Sequence, residues 1–408
     1  MKRLTTLLLC VSMLVFILAA CGGGDKKSES GGKGEKATVT FGFWGTAEDL
    51  KVYQSAADSI NEAYPNITLK IKQYPSSDQF WNQLPGEIAA GTAPDLVRLS
   101  NEGSYEYITK DLFAPLDEYI KSANLDMSVY IDSAKNGWQV EGKTFGIPNT
   151  FNTSMFFIND EMWKAAGLGA YPTTWDEVYE AAKKLKTKDV YGLVANIHEF
   201  HITNYVKTFG GGWGYGKTIN SKENVQGLEQ FMKFYKDDLA VTPKTLGYGW
   251  DGEVFANKKA AMTTGGAWYK SYLKDANPDL KYVALPVPKG TVQAGNLIAD
   301  GYTVMKDSKN KEAAVKAAYF MSGEKVQSQF IELGYNPPLK SLSPKYYDLN
   351  PEFKSTESAL ANATDFQYPS DTKKFTDALV KEVENAILGG SKETAQQILD
   401  KVQQQFNK

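Results

Sequence analysis

The residues Gly211–Thr218, "GGWGYGKT", match the spacing G-x-x-x-x-G-K-[ST] of loops that hold nucleotide phosphates. In such a loop a buried strand comes first, and the Lys-Ser/Thr pair opens a helix whose N-terminus meets the phosphates. Here the preceding "HITNYVKTFG" is typical of a helix, and the next helix begins only after Asn220-Ser221, where a cap belongs. We therefore expect a connecting turn without nucleotide.

The two histidines of the chain stand in "HEFH", at His198 and His201. The metalloprotease helix needs two histidines four positions apart, whereas this pair is three apart. Because Cys10 and Cys21 are the only cysteines and a third histidine is missing, a zinc site would need remote carboxylates. We expect no metal and no other cofactor.

The 48 Asp and Glu residues leave a glycoside hydrolase open as an alternative. Such an enzyme needs two carboxyl groups about 5–10 Å apart across a cleft. A barrel glycosidase repeats about eight strand–helix units, whereas this sequence divides into two groups of elements. The pattern favours a protein without catalysis.

The elements that position these residues alternate between strand and helix. Three strands, "ATVTFGFWG", "NITLKIKQYP" and "LVRLS", are separated by helical patterns, and the second helix contains Pro85, which we expect to interrupt or kink it. This start predicts a parallel sheet whose ligands collect at the carboxyl ends of the strands. Pro148 is expected in a turn between two strands, and Trp268 on a Gly-Gly turn.

The N-terminus has the features of an exported lipoprotein. Lys2 and Arg3 precede an apolar run that is short for a membrane span, and "LAAC" resembles a bacterial lipobox. We expect a signal peptide at 1–20, a lipid on Cys21, and a flexible tether over 21–36. The predicted location is the extracellular face of the cell membrane, or the periplasm where an outer membrane exists.

Length and charge narrow the class further. About 370 residues remain after the tether, too many for one core, so two lobes are expected. Removal of Lys2 and Arg3 changes the formal net charge from −3 to −5, which argues against nucleic acid. Arg98 is the only later arginine, so an anionic ligand would lack an arginine clamp. Aromatic residues make up 12%, and their faces suit sugar rings.

Several stretches, in order, resemble the extracellular solute-binding proteins of ABC importers, specifically the maltose-binding-like carbohydrate-binding family. Together they cover essentially the whole chain after the signal: the lipobox and tether, "AAGTAPDLVRLS", "LFAPLDEYI", "GKTFGIPNTFNTSMFFINDEMW", "YPTTWDEVYEAAKKL", "VFANKKAAMTTGGAW", "LPVPKG" and "KNKEAAVKAAYFMSGEKVQSQFIELGYNPPLKSL".

The resemblance implies an α/β, two-lobe periplasmic-binding-protein-like fold with hinge crossovers and a ligand cleft between the lobes. The chain would cross near Pro148–Phe151, near Asp300 and again near Asn350. The implied boundaries are 37–149 plus 301–350 for lobe 1 and 150–300 plus 351–408 for lobe 2.

The family's cleft-facing positions can be carried onto this sequence. A stacked Trp would take a sugar face, while carboxylates and amides would take paired hydroxyls. Asn152 stands where relatives often carry an acid. Weaker candidates for the cleft are Phe80, Trp81, Trp213, Tyr215, Phe366 and Tyr368. The expected ligand-binding residues are Trp44, Gly45, Asn101, Glu102, Asn152, Glu199, His201, Trp268 and Asp300.

The sequence thus predicts a lipid-anchored extracellular binding protein, a monomer without enzymatic activity. It would capture a sugar or oligosaccharide and deliver it to the permease subunits of an ABC importer. A binding protein for a polyamine or other cationic solute stays open as an alternative.

Overall fold

The computed structural model describes residues 36–406, so the expected signal peptide, Cys21 and the tether up to residue 35 lie outside the described residues. The strands are β1 (Ala37–Trp44), β2 (Ile67–Tyr74), β3 (Leu96–Ser100), β4 (Gln139–Val140), β5 (Lys143–Thr144), β6 (Ile147–Thr153), β7 (Met155–Asn159), β8 (Tyr191–Val194), β9 (Ala240–Val241), β10 (Ala260–Gly265), β11 (Tyr282–Pro286), β12 (Gly295–Val304) and β13 (Ala363–Thr364).

Helices cover both sheets. They are α1 (Ala47–Ala63), α2 (Ser77–Ala90), α3 (Asn101–Thr109), α4 (Asp117–Ser122), α5 (Asp132–Asn136), α6 (Asp160–Ala165), α7 (Trp175–Leu185), α8 (Glu199–Thr208), α9 (Lys222–Lys236), α10 (Asp251–Ala256), α11 (Trp268–Ala276), α12 (Lys311–Met321), α13 (Glu324–Glu332), α14 (Tyr346–Leu349), α15 (Glu357–Leu360), α16 (Thr372–Ile387) and α17 (Ala395–Gln404). Among residues 36–406, none of these helices is long and apolar enough to cross a bilayer.

Two sheets define two lobes. The sheet of lobe 1 has the order β13-β12-β3-β1-β2, with β6 also paired to β12, and that of lobe 2 has the order β11-β7-β10-β8-β9. In lobe 1, β1 pairs in parallel with β2 and β3, as the β-α-β-α-β pattern predicts. In lobe 2, β8 and β10 are parallel to each other. Each lobe therefore has parallel strands whose carboxyl ends can carry a site.

Two long strands run where the chain is expected to cross between lobes. β6 pairs antiparallel with β12 from Leu297 opposite Thr153 to Tyr302 opposite Ile147, and the register shifts between Asp300 and Gly301. Such a bulge bends a strand locally. The residue boundaries of the lobes remain a prediction.

Pro148 does not lie in the expected turn, and Pro85 does not interrupt its helix. α2 continues through Pro85 to Ala90, and its C-cap is Gly91, which has the left-handed conformation that favours glycine (φ 67°). A proline removes one N–H from a helix, and this helix has only two buried residues to disturb. Pro148 lies within β6, opposite Gly301 and beside the bulge, where a missing ladder donor is tolerated.

Other local signals are confirmed. Ser221 caps α9 by accepting from the N–H of Asn224, so Lys217 and Thr218 precede that cap instead of opening the helix. Thr174 and Glu177 form a capping box on α7, and Thr46 and Asp49 form one on α1. The turn at Gly211–Thr218 is thus a connection, in which the Thr218 hydroxyl donates to the Gly212 carbonyl at 2.6 Å.

A buried charge connects the sheet of lobe 1 with the bulged strand. Arg98 on β3 is 9% exposed, and its guanidinium is paired with Asp300 on β12 and donates to the Trp44 carbonyl at 2.9 Å. The Thr150 hydroxyl on β6 donates to the same carboxylate at 3.1 Å. Asp49 is 1% exposed, and burial raises the pKa of its carboxyl group. Arg98 lies close enough to oppose this rise.

Replacement of Arg98 should therefore be costly. Arg98→Met leaves Asp300 and Asp49 buried without their cation, and we expect the free energy of unfolding to fall by about 3–5 kcal/mol in urea denaturation followed by circular dichroism. Lys316→Met is the control, because Lys316 pairs with Glu312 on the surface of α12, and its effect should stay within about 0.5 kcal/mol. A loss under about 1 kcal/mol for Arg98→Met would contradict this role.

Candidate functional site

Four strand ends bring the predicted residues together. β1 ends at Trp44 and leads through Gly45 to α1, and β3 ends just before Glu102 in the first turn of α3. In lobe 2, β8 leads to His198 and Glu199 at the start of α8, and β10 leads to Trp268, which begins α11 instead of lying on the Gly-Gly turn. The site thus uses the carboxyl ends of parallel strands in both lobes.

Aromatic rings form one part of the site. Trp268 is partly exposed, packs beside two clusters of buried hydrophobic residues, and contacts Phe200 edge-on with ring centroids 5.6 Å apart. Its ring lies over Gly266, where an added Cβ would be 2.1 Å from Trp268 Cζ3. The bare backbone of Gly266 therefore lets the indole fold back and fixes its position.

A second aromatic group lies in lobe 1. Trp44 packs against Phe80 at 4.8 Å and Trp81 at 5.8 Å between ring centroids. Phe80 is fully buried, whereas Trp44 and Trp81 keep part of their surface exposed. Trp81 lies over Gly103, where an added Cβ would come 2.5 Å from Cη2 of the indole. Trp44 and Trp81 thus offer partly exposed aromatic surface beside Glu102.

Charged groups of both lobes meet around His198. Its Nε2 lies 3.8 Å from Asp78 of α2, and its Nδ1 lies 3.4 Å from Glu199. His198 is also the N-cap residue of α8, and its Nδ1 lies 3.2 Å from the backbone nitrogen of Phe200. Glu102 is near enough to interact electrostatically with both Glu199 and His198.

The cluster around His198 changes the pKa of two of its members, Glu102 and His198. Burial, with a further contribution from Glu199, raises the pKa of Glu102 to about 8, although His198 opposes the change. Burial would lower the pKa of His198, but Glu199, Asp78 and Glu102 outweigh it and raise the pKa to about 10. The cluster therefore holds a protonated imidazole among three carboxyl groups at neutral pH, and one of those groups, Glu102, keeps its proton there.

The lobes touch across the cleft in this conformation. The hydroxyls of Thr46 on the lobe 1 side and Ser271 on α11 lie 3.3 Å apart. Together with the Asp78–His198 contact, this bond joins residues that belong to different sheets. The structure therefore represents a closed arrangement of the two lobes.

The expectation that His201 faces the cleft needs correction. His201 is 4% exposed, its Nδ1 lies 2.6 Å from the Thr264 hydroxyl, and its Nε2 lies 3.2 Å from Asp251. Tyr269 also donates to Asp251, so this histidine belongs to a buried polar network inside lobe 2. Both ring nitrogens have partners there, because the side chain is buried between α8 and the residues that pack against it.

Three other predicted polar residues have internal partners as well. The Asn101 side chain donates to the Leu297 carbonyl at 3.1 Å and accepts from the N–H of Ala299 at 3.1 Å, which fastens α3 to β12. Asp300 is paired with Arg98, and Asn152 accepts from the N–H of Asn336 at 3.3 Å. In this conformation these side chains position the crossing strands.

Of the weaker aromatic candidates in lobe 2, some are buried and one is exposed. Trp213 is fully buried and its indole N–H donates to the Thr203 hydroxyl at 2.9 Å, so it is a core residue of lobe 2. Tyr215 is 48% exposed and meets Tyr105 of α3, with ring centroids 5.2 Å apart. Phe366 and Tyr368 are buried, and Phe366 packs behind Phe200 at 6.3 Å.

His198 and Asp78 are not among the residues that the sequence predicts for the cleft. His198 directly precedes a helical pattern, at the N-cap position, and that position could have favoured it over His201. Asp78 lies on a different lobe, and a contact between distant segments leaves no local signal. Within residues 36–406, no group of three or more His, Cys, Asp or Glu is arranged to hold a metal ion.

Glu102→Gln should change how stability depends on pH. The folded protein keeps the Glu102 proton up to about pH 8, whereas an unfolded glutamate releases it near 4.5. The contribution of Glu102 to stability is therefore fully present below pH 4.5 and is lost as pH rises through 8. We expect the urea midpoint of the variant, relative to the natural chain, to rise between pH 5 and pH 8.5.

The control for this comparison is Glu312→Gln, which removes a surface carboxylate of α12. The difference between its urea midpoint and that of the natural chain should stay constant over the same pH range. A difference for Glu102→Gln that is also independent of pH would contradict the raised pKa.

Two α/β lobes with a closed, aromatic and charged cleft define a solute-binding architecture. The chain belongs to the bacterial extracellular solute-binding protein family, whose model matches residues 55–361. The expected family and fold class are thereby confirmed.

Individual relatives support the same class. The galactooligosaccharide-binding protein of Bacillus subtilis is 25% identical over 358 residues, which cover 84% of this chain and 82% of the relative. The arabinooligosaccharide-binding protein of the same organism is 26% identical over 364 residues, covering 83% and 81%. An ABC substrate-binding protein from Listeria monocytogenes, solved in complex with cycloalternan, is 25% identical with a TM-score of 0.82, covering 91% of this chain and 98% of that chain. These similar proteins are binding proteins and not enzymes.

Proposed function

We propose that this chain captures a sugar or oligosaccharide in the cleft and delivers it to the permease of an ABC importer. The observation that carries the proposal is the meeting of aromatic surface and polar groups from both lobes at the strand ends. Trp268 and Trp44 offer flat apolar faces, and Glu102 and Glu199 offer carboxyl groups for paired hydroxyls. The names of the relatives, which bind oligosaccharides, agree with this chemistry.

Closure is the expected output of binding. A ligand that contacts both lobes favours the closed arrangement over the open one, and the closed form is what a permease would recognise. We further propose that Cys21 carries a lipid, that residues 21–36 tether a monomeric binding domain to the outer face of the membrane, and that no catalysis takes place. The pattern at "LAAC" supports the anchor.

A cationic solute is a second candidate, favoured by the three carboxyl groups of the cleft. Asp78, Glu102 and Glu199 place three carboxyl groups around His198, and Lys373 is a second cation near Asp78. An ammonium group placed between such carboxylates and an aromatic face would be attracted by both. A neutral sugar carries no charge for these groups to attract, so the two ligands differ in their dependence on salt.

Calorimetric titration of the chain as the cell produces it, in mild detergent, tests both candidates. Maltotriose, galactooligosaccharides, arabinooligosaccharides and spermidine are titrated in turn. Saturable heat with an oligosaccharide that persists at high salt supports the sugar, whereas heat with spermidine alone, lost at high salt, supports the cation and overturns the sugar.

Trp268→Ala tests the cleft itself. Truncation removes the central aromatic surface of the site, and we expect the affinity for the bound oligosaccharide to fall at least about tenfold while the fold is kept. Tyr179→Ala is the matched control, because the Tyr179 ring packs on Phe234 and its hydroxyl donates to Asp237, all within lobe 2. Equal affinities of a folded Trp268→Ala variant and the natural chain would remove Trp268 from the site.

A further inference from the structure

Helix α16 of lobe 2 begins without a cap from its own chain segment. Its N-cap residue is Asp371, and within the described part of the chain the Asp371 side chain makes no capping hydrogen bond. The first four N–H groups of any helix lack partners within the helix. α16 has 16 residues and packs against α17, α8 and α9, so its N-terminus is a fixed part of lobe 2.

The missing acceptor comes from lobe 1. Glu106 on α3 is 9% exposed, and its Oε2 accepts from the backbone N–H of Lys373 in the first turn of α16 at 2.9 Å. Its Oε1 accepts from Lys110 Nζ at 2.5 Å. A carboxylate at this position satisfies an orphan N–H and interacts favourably with the positive end of the helix dipole.

Neighbouring contacts show that this is a junction between lobes. Lys110 Nζ, also on α3, lies 3.9 Å from Asp371, and Tyr105 on α3 meets Tyr215 of lobe 2. The Tyr215 N–H in turn donates to the Gln367 carbonyl at 2.8 Å, just before α16. A hydrogen bond fails beyond about 3.5 Å, so any opening that separates α3 from α16 by a few ångströms breaks the cap.

We propose that Glu106 is a closure latch, which caps a helix of the opposite lobe and thereby sets the balance between the open and closed forms without touching the ligand. The latch deepens the proposed function, since a ligand that needs closure gains affinity from every contact made only in the closed form. By the usual effect of losing an N-cap, removal of Glu106 should shift this balance about three- to thirty-fold toward the open form.

Amide hydrogen exchange of the full chain, measured by mass spectrometry on peptides from the first turn of α16, tests the latch directly. In Glu106→Ala we expect exchange at Lys373 to be about three- to thirty-fold faster than in the natural chain, with a larger radius of gyration in X-ray scattering. Glu106→Gln, which keeps an acceptor but loses the charge, should lie between the two.

Glu87→Ala is the matched control. Glu87 accepts from Lys72 Nζ at 2.6 Å and from the Tyr74 hydroxyl at 2.6 Å, so it has the same kind of partners, all within lobe 1. Its loss should lower stability without changing exchange in α16. Equal exchange at Lys373 in the natural chain and Glu106→Ala, or equal acceleration in Glu87→Ala, would overturn the latch.

The same measurements with 1 mM maltotriose separate the latch from the proposed function. If maltotriose slows exchange at Lys373, and does so less in Glu106→Ala, both hold for this probe. If maltotriose changes neither protein while the difference between them persists, the latch stands and maltotriose is not a ligand.

Discussion

A single buried guanidinium holds the framework of the site. Arg98 pairs with Asp300 at the bulge of β12 and donates to the carbonyl of Trp44, at the end of the neighbouring strand. It therefore fixes the strand that crosses between lobes relative to the loop that presents the lobe 1 aromatic surface. A buried cation without these partners would be strongly unfavourable, so the positions of the crossing strand and the cleft rim depend on each other.

Much of the framework could be predicted because it follows from local patterns. The alternation of β1 and β2, the Ser221 cap and the small-residue strand before Trp268 have signals that lie within a few residues. Pro148 was predicted wrongly because the bulge at Asp300 tolerates a missing donor in a way that local preference does not describe, and Pro85 does not interrupt α2.

The site was harder to predict, since polarity alone does not show what a side chain contacts. Asn101, His201 and Asp300 have the residue types of ligand-binding groups, yet hydrogen bonds inside the protein engage them. His198 and Asp78 come from segments about 120 positions apart and meet where the two lobes touch. A sequence shows which polar groups are present. Which of them pair across the cleft depends on how the two lobes assemble.

The surface of the cleft also depends on two glycines, which have no Cβ atom. Trp81 and Trp268 occupy the space that the Cβ atoms of Gly103 and Gly266 would fill. Alanine scanning removes side-chain atoms at most positions. At Gly103 and Gly266 the same substitution instead adds a methyl group. Diversity in such a pocket can therefore arise through small residues behind the rings, which re-aim an aromatic face while every residue that touches the solute stays the same.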